Sequence, residues 1–216
     1  MRSGMWACLI LNAVAGAAVA ADAPPVAIVP DTLKVNDQSR ADGHNGKNFN
    51  LCGMHVRAHA ELPSGSSIEW EVSVNLVTSG HTQVAGISVG SFAVPPQAAV
   101  RVPRAPIRDV YFTIEGSADR TAANIFGNPN SDNGVVGQIP EASALQFFDA
   151  LDAGTAITVH SVYDNGDREA LVLRAKGVQS ASGGHGSAAP VHLCLAHLVP
   201  PDAGTKPLVE HPHPGS

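Results

Sequence analysis

The chain has 216 residues, with 13 Lys and Arg against 19 Asp and Glu, a formal net charge of −6, and only 5% aromatic residues. An acidic surface repels phosphate backbones and so few rings make no base-stacking platform, which argues against nucleic acid as a partner. Beyond the N-terminal segment no apolar run approaches the ~18 residues that a membrane-spanning helix needs, so a membrane span is not expected.

Met1-Arg2 gives a short positive start, Trp6 to Ala20 is apolar and almost uncharged, and Ala18-Val19-Ala20 offers small residues for a signal peptidase. This is the pattern of a signal peptide over residues 1–20, with a mature chain starting at Ala21 and a periplasmic or secreted destination. Cys8 lies within the apolar run but most of that run follows it, the reverse of lipoprotein order. Once Cys8 is removed, Cys52 and Cys194 form an even pair in an oxidising compartment, which is most simply a disulfide. Closing a loop of that length stabilises a fold by about 5 kcal/mol on the chain-entropy argument. A bridge from one end of the ordered region to the other also implies a single domain.

In chain order, residues 21–50 read as an N-terminal extension with a short strand at Val26–Val29, followed by a polar loop. The domain proper is expected over 51–199. Cys52, Met54, Val56, Ala58 and Ala60 alternate with Gly53, His55, Arg57, His59 and Glu61, the period-two pattern of a half-buried strand. After the turn residues Pro63-Ser64-Gly65-Ser66, the positions Ile68, Trp70, Val72, Val74 and Leu76 alternate with Glu69, Glu71, Ser73 and Asn75. Ser79-Gly80-His81 makes the next turn, and Val84–Val94 is a strand in which Gly86 and Gly90 point to a bulge or strong twist. Arg101–Arg108, with its two prolines, should be extended and exposed, and Val110–Glu115 forms a further strand. Residues 116–138, rich in Gly, Asn, Asp and Ser, read as a long irregular loop.

Pro140 and Glu141 open the one expected helix, about 140–152, with Ala144, Leu145, Phe148 and Leu151 on its apolar face and Gly154 as its left-handed stop. Asp164-Asn165-Gly166-Asp167 between two apolar runs is a hairpin signal. Val191–Val199, carrying Cys194, reads as a last strand. Residues 200–216 form a Pro-rich tail expected to be disordered. The whole is a mainly β fold: an antiparallel β-sandwich or partly open barrel with one α-helix and one disulfide, Cys52–Cys194.

Ten histidines are present. His55 and His59 share a strand face, and His192 lies two residues before Cys194, so if the bridged segments are neighbours these three are candidate ligands for Cu or Zn. The competing reading is that they are surface or structural imidazoles and that the protein has no cofactor. Arg101, Arg104 and Arg108 form a cationic series in an acidic chain. In a polyproline-like conformation positions three apart share a face, so the series is a candidate anion-binding strip, or else a charged guard on a sheet edge. Asp119, Asn124, Asn128, Asn130, Asp132 and Asn133 are oxygen donors whose spacing matches no calcium loop. Gly86-Ile87-Ser88-Val89-Gly90 has the G-x-S-x-G spacing, but within a strand and not at a strand-to-helix elbow. Glu69 and Glu71 share a face and read as solvated glutamates opposite a buried Trp70.

The stretch from Glu141 to Val178 resembles the C-terminal part of the invasion-associated locus B-like periplasmic proteins. The resemblance lies in a helix ending Ala150-Leu151-Asp152-Ala153-Gly154, a strand Ala156-Ile157-Thr158-Val159, a turn at Asn165-Gly166 and a strand ending Lys176-Gly177-Val178. It implies an exported β-rich protein of the envelope or of host contact, with no catalytic residues to carry over. The expectation is therefore a non-enzymatic binding or envelope-associated protein whose partner is a protein or another envelope macromolecule. It would meet that partner through a sheet face or the 116–138 segment. A histidine-based metal binder and a hydrolase of unidentified site are the alternatives.

Overall fold

The alternating segments become strands because period-two burial lets each contribute one apolar row to a shared core while its backbone pairs laterally. The computed structural model describes residues 24–41, 49–79, 82–96, 100–127, 134–175 and 189–198. The candidate signal peptide, the C-terminal tail, Gly80-His81 and the oxygen donors Asn128, Asn130, Asp132 and Asn133 lie outside them.

Two sheets hold the described strands. The larger is built on three 13-residue strands, β4 (Phe49–Glu61), β5 (Ser67–Ser79) and β6 (Thr82–Val94), each ~43 Å long at ~3.3 Å per residue. Its other members are β2 (Thr32–Asp37), β3 (Arg40–Ala41), β7 (Val102–Pro103), β10 (Asn124–Gly127) and β11 (Val135–Ile139), in the order β10-β11-β6-β5-β4-β2, with β3 beside β4 and β7 beside β6. The smaller sheet runs β1-β13-β12-β8-β9, with β1 (Val26–Ile28), β8 (Ile107–Ile114), β9 (Arg120–Ala122), β12 (Ile157–Tyr163) and β13 (Arg168–Leu173). All pairings are antiparallel except β1 with β13. The arrangement is sandwich-like and mainly β, as the alternation requires.

One core joins the sheets. Cys52, Met54, Val56, Ala58, Ala60, Ile68, Trp70, Val72, Val74 and Leu76 are all buried, as are Val110, Phe112, Ile157, Val159, Leu171 and Leu173 on the smaller sheet. Helix α1 (Glu141–Ala153) packs against β5 and β6 on one side and β12 on the other, and Phe147 meets Phe112 edge to face at 5.4 Å. Pro140 precedes it and Gly154, at φ 69°, ends it, a left-handed cap that glycine adopts without steric cost. The Asn165-Gly166 turn closes the β12–β13 hairpin with Gly166 at φ 90°.

Four expectations change. Residues 26–41 are not a strand plus loop appended to the domain: they supply the outer strand β1 to one sheet and β2 and β3 to the other. The 116–138 segment is not wholly irregular, since β9, β10 and β11 arise within it. Gly86 and Gly90 make no bulge, because the β5–β6 register runs unbroken from Ser67↔Val94 to Ser79↔Thr82.

The fourth change concerns the last element. Cys194 lies on helix α2 (Ala189–Ala196), not on a strand. Val191 and Cys194 are buried, Leu195 and Leu198 half-buried, and Leu193 is 64% exposed. Spacings of three, four and seven define one helical face, which the apparent alternation of Val191, Leu193 and Leu195 conceals. The disulfide Cys52–Cys194, with Cα atoms 5.6 Å apart, ties α2 to β4. Among the described residues no helix is long and apolar enough to cross a membrane.

Candidate functional site

Segment 101–108 is the place to start, because it crosses from one sheet to the other and sends its three arginines in three directions. Arg101 lies on the outer face of the larger sheet, where the polar phases of β4 and β5 put Arg57 opposite Glu71 and His59 opposite Glu69. Its Nη1 donates to Glu71 Oε1 at 2.7 Å and its Nη2 lies 2.5 Å from Glu69 Oε2, while the guanidinium covers the Phe92 ring at 5.4 Å. Arg57 Nη2 reaches the same Glu71 oxygen at 3.0 Å. Burial alone would raise the Glu71 carboxyl pKa, but the hydrogen bond and charge of Arg101, backed by Arg57 and His55, bring it below its usual value. The two glutamates are thus spoken for by cations and are not a free acid–base pair.

Arg104 turns inward. It donates to both carboxylate oxygens of Glu169, at 2.7 and 2.6 Å, and to Ser91 Oγ at 2.9 Å, and Tyr163 donates its hydroxyl proton to Glu169 Oε2 at 2.6 Å. Burial, then the charge of Glu169, push the Tyr163 pKa up, so the phenol keeps its proton. This is a fork-on-fork pair of the kind Arg makes best, and it locks Ser91 of the larger sheet to β12 and β13 of the smaller.

Arg108 reaches a third place. Along β12, Val162 pairs with Asp109 and the next residue, Tyr163, pairs with Ile107, so Arg108 is the extra residue of a β-bulge. A bulge re-aims a side chain, and here Arg108 lines a cleft of about 240 Å³ together with Arg120 and Arg168. The rings of Tyr111 and His160, cross-strand partners on β8 and β12, line it too, stacked at 4.3 Å and 8°. Arg120 covers the Tyr111 ring at 3.5 Å, making a guanidinium–phenol–imidazole stack. Asp109 lies 3.9 Å from Arg120 across an exposed gap, a weak ion pair. His160 Nδ1 is buried without a hydrogen-bond partner. Burial, and secondarily Arg120, hold the His160 pKa below its ordinary value, so the imidazole is neutral at pH 7.

The candidate metal ligands sit as follows. His55 Nδ1 is 2.9 Å from Ser73 Oγ, and His59 Nδ1 is 3.8 Å from Glu69. His192 lies on α2 and faces α1, its Nε2 3.8 Å from Asp149 and 4.0 Å from Asp152. Among the described residues no three His, Cys, Asp or Glu side chains converge on a point that could hold a metal ion. Desolvation lowers the His55 pKa, with Glu71 opposing it and Arg57 and Arg101 adding to it. Ser88 lies within β6, paired with Ser73 and Val136, so no nucleophile elbow forms around it.

The arginine series is therefore not one strip: Arg108 alone reaches the cleft, and its cationic neighbours there are Arg120 and Arg168. Neither they nor the ring pair stood out in the sequence. Tyr111, in the outward phase between buried Val110 and Phe112 in a chain with two tyrosines, was the available signal. The fold is that of a disulfide-bridged, two-sheet β protein with a polar face on each sheet. Comparison with protein-family models, with curated proteins and with solved structures finds no match.

Proposed function

We propose that this chain is an exported, non-enzymatic binding protein of the periplasm, envelope or secreted fraction. In this reading it meets its partner through the outer face of the five-stranded sheet. The observation that carries the reading is the cleft between β8, β9, β12 and β13, where three arginines and a stacked ring pair face outward. Export is supported by the signal-peptide pattern of residues 1–20 and by the Cys52–Cys194 bridge, which persists in oxidising compartments. The resemblance of residues 141–178 to periplasmic locus B-like proteins points to the same compartment.

Two measurements test this. Fractionation of cells expressing the full chain, or a chain starting at Ala21, should place only the former outside the cytoplasm. Affinity capture from envelope extracts with the mature protein should retain a partner that Tyr111→Ala with Arg120→Ala releases and that chelator leaves in place. Loss on chelation would transfer the case to the histidines. Equal capture by the variant would remove the cleft from the reading.

A further inference from the structure

We infer that the cleft on the five-stranded sheet is a saccharide site, taking one neutral sugar unit through hydrogen bonds with Arg108, Asp109 and Arg120. The inference rests on the cleft being the binding face and names the chemistry it recognises.

The first argument is balance. Both signs of charge line the cleft: Arg108, Arg120 and Arg168 with Asp109 and Glu169. Glu169 is held by both nitrogens of Arg104, Arg168 has an interaction of its own, and His160 is neutral. A bare ion therefore meets no surplus of either sign. A hydroxyl group both donates and accepts, so a ligand built of hydroxyls uses cationic and anionic side chains together. Arg120 and Asp109 are the pair open to it. At 3.9 Å, with both side chains about half exposed, they stand too far apart to hydrogen-bond each other, and parting so loose a pair costs little.

The second argument is construction. Consecutive residues of a regular strand face opposite ways, yet Arg108 and Asp109 both line the cleft, because Arg108 is the extra residue of the β8 bulge. The bulge sets a donor and an acceptor side by side, which is what two neighbouring hydroxyls of a sugar ring require. Arg120 lies over Tyr111 at 3.5 Å. Stacking occupies the face of the guanidinium and leaves the N–H groups around its rim to a ligand. A donor held in this way loses less side-chain freedom on binding than a free one.

The third argument is shape. Tyr111 is sandwiched between Arg120 and the His160 ring, so neither phenol face is open to an aromatic ligand and the stack acts as a fixed wall. At about 240 Å³ the cleft falls below the ~300–1,000 Å³ of drug-sized pockets, which gives room for one sugar ring and not for a chain of them. Because the cleft opens on the outer face of the sheet, the rest of a glycan bound by its end unit would stay in solvent.

The test is backbone NMR of the mature, oxidised protein titrated with glucose, galactose, mannose and N-acetylglucosamine, with glycerol, sulfate and glycine for comparison. Thermal shifts are unsuitable because sugars and sulfate stabilise proteins non-specifically. Expected with at least one sugar are saturable shifts on β8, β9, β12 and β13, an affinity that ionic strength leaves unchanged, and about tenfold weaker binding in Arg108→Ala and in Asp109→Asn. Arg108 is exposed and Asp109 about half exposed, so both variants should fold, which the dispersion of their spectra checks. Arg101→Ala on the other face should bind as the native protein does. Tighter binding of lactose or chitobiose than of galactose or N-acetylglucosamine would assign the end of a glycan, and equal binding a free sugar. No saturable shift at tens of millimolar sugar, equal shifts with glycerol, or native affinity in Arg108→Ala with Asp109→Asn would overturn the inference. Saturable binding of sulfate or glycine and of no sugar would overturn it in favour of a charged ligand. A partner captured through the cleft with no sugar binding would sink this inference alone. Sugar binding without any captured partner would sink the proposed function and leave the site standing.

Discussion

The outer faces of the two sheets are both polar and arise from the same period-two alternation, yet their charges are used differently. On the larger sheet Glu69 and Glu71 are each in contact with Arg101, Arg57 joins Glu71, and the lattice is closed on itself. On the smaller sheet Arg108, Arg120 and Arg168 line a cleft with Asp109 and Glu169, and there Arg120 stands 3.9 Å from Asp109. A closed lattice has little to gain from a ligand, whereas a loose, exposed ion pair leaves its guanidinium more open to one. Binding potential therefore follows the local balance of charges and not the number of charged residues.

Between the faces stands the Arg104–Glu169–Tyr163 network, and breaking it should give the largest effect. Glu169→Ala removes the carboxylate that neutralises a largely buried guanidinium and should cost about 3–5 kcal/mol, read as a lower urea midpoint. A loss under ~1 kcal/mol would mean that water reaches Arg104 and that the sheets are less tightly joined than the distances imply. Replacing both Cys52 and Cys194 by Ser should cost about 2–5 kcal/mol. Hydrogen exchange should then show α2 and β2–β4 loosening before β8, β12 and β13, so that the larger sheet weakens and the cleft persists. Simultaneous loss of protection in both sheets would contradict that order.

Smaller effects separate the faces directly. Arg101→Ala opens the closed lattice and should cost about 0.5–1 kcal/mol. Arg108→Ala should change stability by less than ~0.5 kcal/mol. Similar stability losses for the two would erase the contrast. The pH dependence is the mildest test. His55 and His160 have folded-state pKa values below 6.5, and Glu71 below 4.5. Each is a depressed pKa, so each contributes stability that is present above its unfolded value and lost as pH falls. Thermal unfolding should show a first decline beginning just below pH 6.5 and a second below 4.5. His55→Gln should reduce the first decline by the larger-sheet share, and His160→Gln by the smaller-sheet share.

How much of this was legible differs by feature. The three long strands were readable because alternation at 52–60, 68–76 and 84–94 reports burial on one face without reference to any partner. The helix after Pro140 and the turn at Asn165-Gly166 were readable from local dihedral preferences. Helix α2 was not, since Val191, Leu193 and Leu195 fit a strand as well as Val191, Cys194 and Leu198 fit a helix; only packing on β4 chooses between the two periods. Strands β9 and β10 were missed because three- and four-residue segments within a Gly- and Asn-rich stretch have no periodicity to show, and they form by pairing with β8 and β11.

The sequence by itself determined which residues of the long strands face inward, that the cysteines number two after the leader pattern, and that the chain is a mainly β protein. These are properties of neighbouring residues, set by side-chain phase and turn chemistry. Tertiary structure alone decided that Arg101, Arg104 and Arg108 part company and that Arg108 meets Arg120, Arg168, Tyr111 and His160. Convergence of that kind depends on cross-strand register and on one bulge. A single-residue slip would turn the same side chains to the opposite face.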